Sequence, residues 1–134
     1  MKKTILIVDD SASLRQVVNI ALTGAGYDVI EAEDGAKALK KLDGAKISLV
    51  ICDVNMPVMD GEHCIEEIRN LQDPVKANTL VIACTANPEE YSAQDFKNMG
   101  FDYGFIKPAN YSNILAFAKP LMHRFKKQSE EASK

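Results

Sequence analysis

The stretch Ile47-Ser48-Leu49-Val50-Ile51-Cys52-Asp53, continuing into Val54-Asn55-Met56-Pro57-Val58-Met59-Asp60-Gly61, decides how the chain is read. A short apolar run ends on a carboxylate, breaks at Pro57 and restarts after Asp60-Gly61. Such a run fits a strand covered on both faces. Asp60 is a good helix cap. A buried strand that ends in an acid marks Asp53 as the residue around which a site is organised.

Working outward, the same grammar repeats. Thr4 to Val8 is an apolar strand closed by Asp9 and Asp10. Ser11 caps a helix to about Thr23, with Leu14, Val17, Val18, Ala21 and Leu22 at helical spacing, and Gly24 and Gly26 stop it. Asp28 to Ala32 is less apolar and fits a sheet edge. Asp34-Gly35 opens a short helix through Leu42, ended by Gly44. The strand Ile47 to Cys52 is followed by a helix carrying Cys64, Ile65, Ile68 and Leu71 on one face, with Pro74 in the next loop. Thr79 to Cys84 is a strand closing on Thr85. Pro88-Glu89-Glu90 opens a helix that ends at Gly100. Tyr103 to Ile106 is a strand closing on Lys107-Pro108. A last helix runs from near Asn110 toward Phe125, kinked or split at Pro120.

Five alternations of strand and helix predict an α/β fold, a doubly wound five-stranded parallel sheet with five helices. Right-handed crossovers place every strand's C-terminal end on one edge, where such sheets bind ligands. The chain of 134 residues, 46% hydrophobic and 26% charged, is large enough for one packed domain. A net charge of −3 argues against a nucleic-acid partner. No apolar run approaches the length of a membrane span, so no membrane partner is expected. The basic, apolar start at Met1-Lys2-Lys3 stops at Asp9-Asp10 without a cleavage site, and a cytoplasmic protein is expected. Cys52, Cys64 and Cys84 match no zinc spacing and read as buried thiols.

The strand ends collect Asp9 and Asp10, then Asp53, then Thr85, then Lys107. Singly each is bland: a cap, a turn, a solvated charge. The topology gathers all five on one patch. Three adjacent carboxylates repel unless a cation joins them. An all-oxygen donor set without histidine suits Mg²⁺ better than zinc. Phosphoryl transfer then has its parts: Asp53 as nucleophile, the metal and Lys107 as charge neutralisers, and the Thr85 hydroxyl as a donor. Drawing Thr85 inward would move the loop from Ala86 to Glu90 and the helix after it.

The motifs Ile7-Val8-Asp9-Asp10-Ser11, Asp53 to Gly61, Cys84-Thr85-Ala86 and Ile106-Lys107-Pro108 stand in the order and spacing of the receiver domains of two-component response regulators, which the chain resembles from about residue 3 to 125. The opening, Thr4 to Val18, is most similar to single-domain chemotaxis regulators. The resemblance implies a flavodoxin-like receiver fold with strand order 2-1-3-4-5, over residues 1–126, and a polar tail at 127–134. It implies phosphorylation of Asp53 by a histidine-kinase phosphodonor. It implies Mg²⁺ on Asp10, Asp53 and the backbone carbonyl of Asn55, with Asp9 acting partly through metal-bound water. Lys107-Pro108 would be a cis peptide, and Asn55 and Asn87 would tune loss of the phosphoryl group. The downstream target would be a protein, such as the flagellar motor or another chemotaxis component. No enzymatic activity is implied beyond the domain's own phosphorylation and dephosphorylation.

One departure stands out. Receivers usually carry an aromatic residue three before the strand-five lysine, and here that residue is Gly104. Alternation points Tyr103 and Phe105 to the opposite face, so only a bulge would restore an aromatic at that place.

Other features have plainer readings. Thr23-Gly24-Ala25-Gly26 follows a helix, so it is a helix stop rather than a phosphate loop. His63 and His123 read as surface residues. Met56 and Met59 read as packing under the loop. Lys119, Arg124, Lys126 and Lys127 read as a solvated helix end. Because the chain stops soon after its last helix, a stand-alone switch is expected. The alternatives are a phosphorylation-independent interaction module, for which Gly104 speaks, and a phosphate sink. A phosphatase of the dehalogenase type wants an aspartate where Asn55 stands. A flavin carrier wants a glycine- and hydroxyl-rich loop where Asp9 and Asp10 stand.

Overall fold

A computed structural model describes residues 3–54, 56, 59–85, 91–106, 114–116 and 118–122. The elements run β1 (Thr4–Val8), α1 (Ala12–Gly24), β2 (Asp28–Ala32), α2 (Gly35–Gly44), β3 (Leu49–Asp53), α3 (Gly61–Arg69), α4 (Pro74–Ala77), β4 (Leu80–Thr85), α5 (Ala93–Met99) and β5 (Tyr103–Ile106). Residues 114–116 and 118–122 are helical as well, with helix on both sides of Pro120. The five strands form one parallel sheet in the order β2-β1-β3-β4-β5, as expected from the alternation of elements and the family resemblance.

The two-residue period of the strands divides the core between the faces of the sheet. On one face Leu6, Val8, Val50, Cys52, Val81 and Ala83 pack against Ala38 and Leu42 of α2, Cys64, Ile65 and Ile68 of α3, and Phe96 of α5. On the other, Ile5, Ile7, Leu49, Ile51, Leu80, Ile82 and Cys84 pack against Val18 and Leu22 of α1 and against Ile114, Ala118 and Met122. Each large side chain buried this way stabilises the fold by about 1.5–3 kcal/mol before the entropy of ordering it is subtracted. β3 and β4 are buried along their whole length, whereas β2 is half-exposed, which fits its place at the edge.

Short polar side chains start α1, α2 and α3. Ser11 accepts from Leu14 N at 3.2 Å, Asp34 from Lys37 N at 2.9 Å, and Asp60 from His63 N at 2.9 Å. Each satisfies an amide that the helix itself leaves unpaired. α1 ends at Gly24, and the left-handed residue that turns the chain is Gly26, at φ 98°.

Two expectations change. Pro74 does not lie in a loop: Asp73 caps a short extra helix, α4, accepting from Val75 N at 3.0 Å, with Pro74 in its first turn where a missing N–H costs nothing. The described part of α5 begins at Ala93, not at Pro88, because Ser92 and Asp95 form a reciprocal capping box there. Residues 86–90 lie outside the described residues. Smaller shifts place the start of β3 at Leu49 and carry β4 through Thr85.

Arg69, near the end of α3, ties this half of the sheet together. Its Nε donates to Gly100 O at 2.9 Å, its Nη1 to Ala77 O at 2.9 Å and Thr79 O at 2.7 Å, and its Nη2 to Asp102 Oδ2 at 3.0 Å. Asp102 Oδ2 also accepts from Val81 N at 2.8 Å. One guanidinium therefore fixes the approaches to β4 and β5 relative to α3.

Candidate functional site

Parallel pairing brings the ends of β1, β3 and β4 side by side. Val8 pairs with Cys52, and Asp53 pairs with Cys84, so the residues that follow, Asp9 and Thr85, flank Asp53 from either side. The carboxylate oxygens of Asp9, Asp10 and Asp53 lie within 4.8 Å of one another. Asp9 and Asp53 are buried and Asp10 is exposed; Thr85 is fully buried. Three acids at this spacing offer oxygen atoms alone, the donor set of a hard divalent cation.

The backbone around these acids is held closely. Asp9 N donates to Ala32 O at 3.1 Å, and Asp9 Oδ1 accepts from Ser11 N at 2.9 Å. Beyond β3, Val54 N donates to Cys84 O at 3.0 Å and Gly61 N to Val54 O at 2.8 Å, which folds the Asp53 loop back on itself. Gly35 N donates to Met59 O at 3.3 Å, so the start of α2 supports the far side of the loop. Met56 and Met59 pack against the core beneath, as the plainer reading of the sequence has it.

Sequence reasoning missed one residue beside the acids. Arg15 reaches back from α1 to donate from Nη1 to Asp9 O at 2.6 Å, while its Nε pairs with Glu31 at 3.1 Å. Glu31 also accepts from Asn19 Nδ2 at 3.0 Å. A basic residue in the second turn of a helix that follows an acidic pair is the signal that could have found it. Of the remaining candidates, Asn55, Asn87, Lys107 and Pro108 lie outside the described residues, as does His123.

Cys52 and Cys84 point into opposite cores, and all three cysteines are buried thiols outside any disulfide. A hydrogen bond that the Cys52 thiol donates to Cys64, and then burial, push Cys52 well above its usual range. His63 is exposed, as expected, and hydrogen-bonds Asp60 Oδ1 through Nδ1 at 2.9 Å.

β5 continues in unbroken register with β4, from Ile82 opposite Tyr103 to Thr85 opposite Ile106. No bulge restores an aromatic at 104. Phe105 packs into the opposite core, with the Tyr103 ring 5.1 Å away and tilted by 55°.

The response regulator receiver domain family matches residues 5–119. The chain belongs to that family. It is 33% identical over 116 residues to the chemotaxis protein CheY of Bacillus subtilis, covering 86% of this chain and 93% of that one. It is also 33% identical over 124 residues to the Bacillus subtilis alkaline phosphatase synthesis transcriptional regulatory protein PhoP, covering 92% of this chain but 50% of that protein. The chain thus spans about half of some curated relatives and nearly all of others. Among solved structures, the Vibrio cholerae chemotaxis protein CheY4 superimposes with a TM-score of 0.78 at 33% identity, covering 90% of this chain and 98% of that one. A CheY-like receiver domain from Methanospirillum hungatei superimposes with a TM-score of 0.82 at 26% identity, covering 96% and 99%. Receiver domains are the signalling domains of two-component systems, and this chain is one of them. Among the described residues no helix is long and apolar enough to cross a membrane.

Proposed function

We propose that the chain is a cytoplasmic, chemotaxis-type receiver that takes a phosphoryl group on Asp53 from a histidine kinase and thereby changes its affinity for a downstream protein. The observation that carries this reading is the approach of the Asp9, Asp10 and Asp53 carboxylates to within 4.8 Å, with two of the three buried. Like charges so close call for a cation, and the oxygen donors fit Mg²⁺, held by Asp9, Asp10, Asp53 and the Asn55 carbonyl. Bound there, the ion supplies positive charge to the phosphoryl oxygens.

In this reading an Asp53 carboxylate oxygen bonds to phosphorus as the bond from phosphorus to the donor's histidine nitrogen breaks, and the departing imidazole takes up a proton. Lys107 contributes a second positive charge. The Thr85 hydroxyl donates to a phosphoryl oxygen. Arg15 holds the Asp9 backbone in place through its 2.6 Å bond. Asn55 and Asn87 set the rate at which the phosphoryl group is lost. The chemotaxis assignment is supported by the 33% identity to a CheY relative; a transcriptional regulator among the relatives carries as much.

Calorimetric titration with Mg²⁺ tests the metal part. Saturable binding that weakens at least tenfold in Asp10→Ala is expected, since one of few ligands is lost. Equal binding by the two proteins would contradict it.

A further inference from the structure

Helix α5 has seven residues and buries one of them, Phe96. The ring of Phe96 occupies a notch in the sheet. A Cβ on residue 104 would stand 2.2 Å from its Cδ2, 2.4 Å from its Cε2 and 2.7 Å from its Cγ. No real side chain tolerates such distances, so the ring sits where only glycine leaves room. The register places Gly104 opposite Ala83, so the floor of the notch is made of the two smallest residues. Thr85 shares that face of β4, one pleat farther on, about 6.6 Å along the strand.

The ring is also held from the sides. Tyr91 lies 5.5 Å away, tilted by 37°, and Phe101 lies 6.2 Å away, edge-on at 82°. Tyr91 leads into the Ser92 cap of α5. The floor of the notch is backbone and cannot yield by changing rotamer. Seated there and packed from both sides, the ring ties α5 to β4 and β5.

We infer that Phe96, seated on Gly104, is the positioning residue that couples rearrangement at Thr85 to displacement of α5. The aromatic contact on this part of the sheet is supplied from the helix rather than from β5. The inference rests on the proposed phosphorylation of Asp53, which would provide the pull on Thr85.

Amide NMR spectra of the full chain, with and without Mg²⁺ and beryllium fluoride as a phosphoryl mimic, test it. In wild type, amides at Asp53, Thr85 and Gln94–Met99 are expected to shift together. In Phe96→Ala the Asp53 and Thr85 shifts should persist while those of α5 are lost. Gly104→Ala, which forces the ring out, should displace the α5 amides before the mimic is added and abolish their response. Phe96→Leu, which keeps apolar volume without the ring, guards against simple unfolding and should also lose the α5 response. A wild-type α5 response in all three variants overturns the inference, as does a wild type in which Asp53 and Thr85 respond and α5 does not. A wild type silent at Asp53 and Thr85 overturns the phosphorylation reading, and the inference with it.

Discussion

Gly61 lies directly against the backbone of Asp53: a Cβ at position 61 would stand 2.6 Å from the Asp53 carbonyl oxygen and 2.6 Å from Val54 Cα. Because the obstructing atoms are backbone, no side chain can rotate away. Gly61→Ala should therefore push α3 off β3 and destabilise the protein by about 1–3 kcal/mol. Urea unfolding measures this, and a midpoint equal to wild type would show that the approach is looser than described.

The Arg69 staple gives a second prediction. Arg69→Ala removes four hydrogen bonds and leaves Asp102 without its cation. The pair is partly exposed, so screening reduces its value, and a loss of about 2–4 kcal/mol is expected. Arg69→Lys should rescue little, because an ammonium cannot span the same three carbonyls and a carboxylate. Full rescue by lysine would mean that charge alone matters there.

His63 and Asp60 titrate as a pair. Hydrogen bonding to the Asp60 carboxylate raises His63 above 6.5, and the His63 backbone N–H lowers Asp60 below 3.8. His63 is raised in the folded state, so its contribution is full below pH 6.5 and is lost as pH rises through the folded value. Asp60 is lowered, so its contribution is present above pH 3.8 and is lost as pH falls through its folded value. NMR titration should place the wild-type His63 above 6.5 and return it close to 6.5 in Asp60→Asn. An unchanged midpoint in the variant would remove Asp60 as the cause.

All three cysteines are buried, and Cys52 is held protonated. A thiol reagent at neutral pH should label them only as fast as the protein opens, with labelling accelerated by denaturant. Rapid modification of the folded protein would contradict the burial.

The outline of this fold was legible because its strands are apolar runs bounded by caps and glycines. β2 and β5 begin and end where the residue pattern says. The gathering of Asp9, Asp10, Asp53 and Thr85 was legible too, since parallel topology alone sends strand ends to one edge. Pro74 misled because proline breaks a helix interior but suits a first turn, and Asp73 just before it was the signal to weigh. At α5, proline and two acids outweighed the Ser92 and Asp95 pair that starts the described helix. Arg69 with Asp102, and Phe96 with Gly104, were beyond reach of the sequence. Each joins residues from different elements, and nothing local marks the glycine's empty side as the seat of a ring.

The central claim is that Asp53 accepts a phosphoryl group. Intact-mass measurement after incubation with acetyl phosphate and Mg²⁺, on wild type and Asp53→Asn, tests it most directly. The account predicts a single phosphate-sized gain on wild type and none on the variant. No gain on wild type, or an equal gain on both proteins, would contradict it.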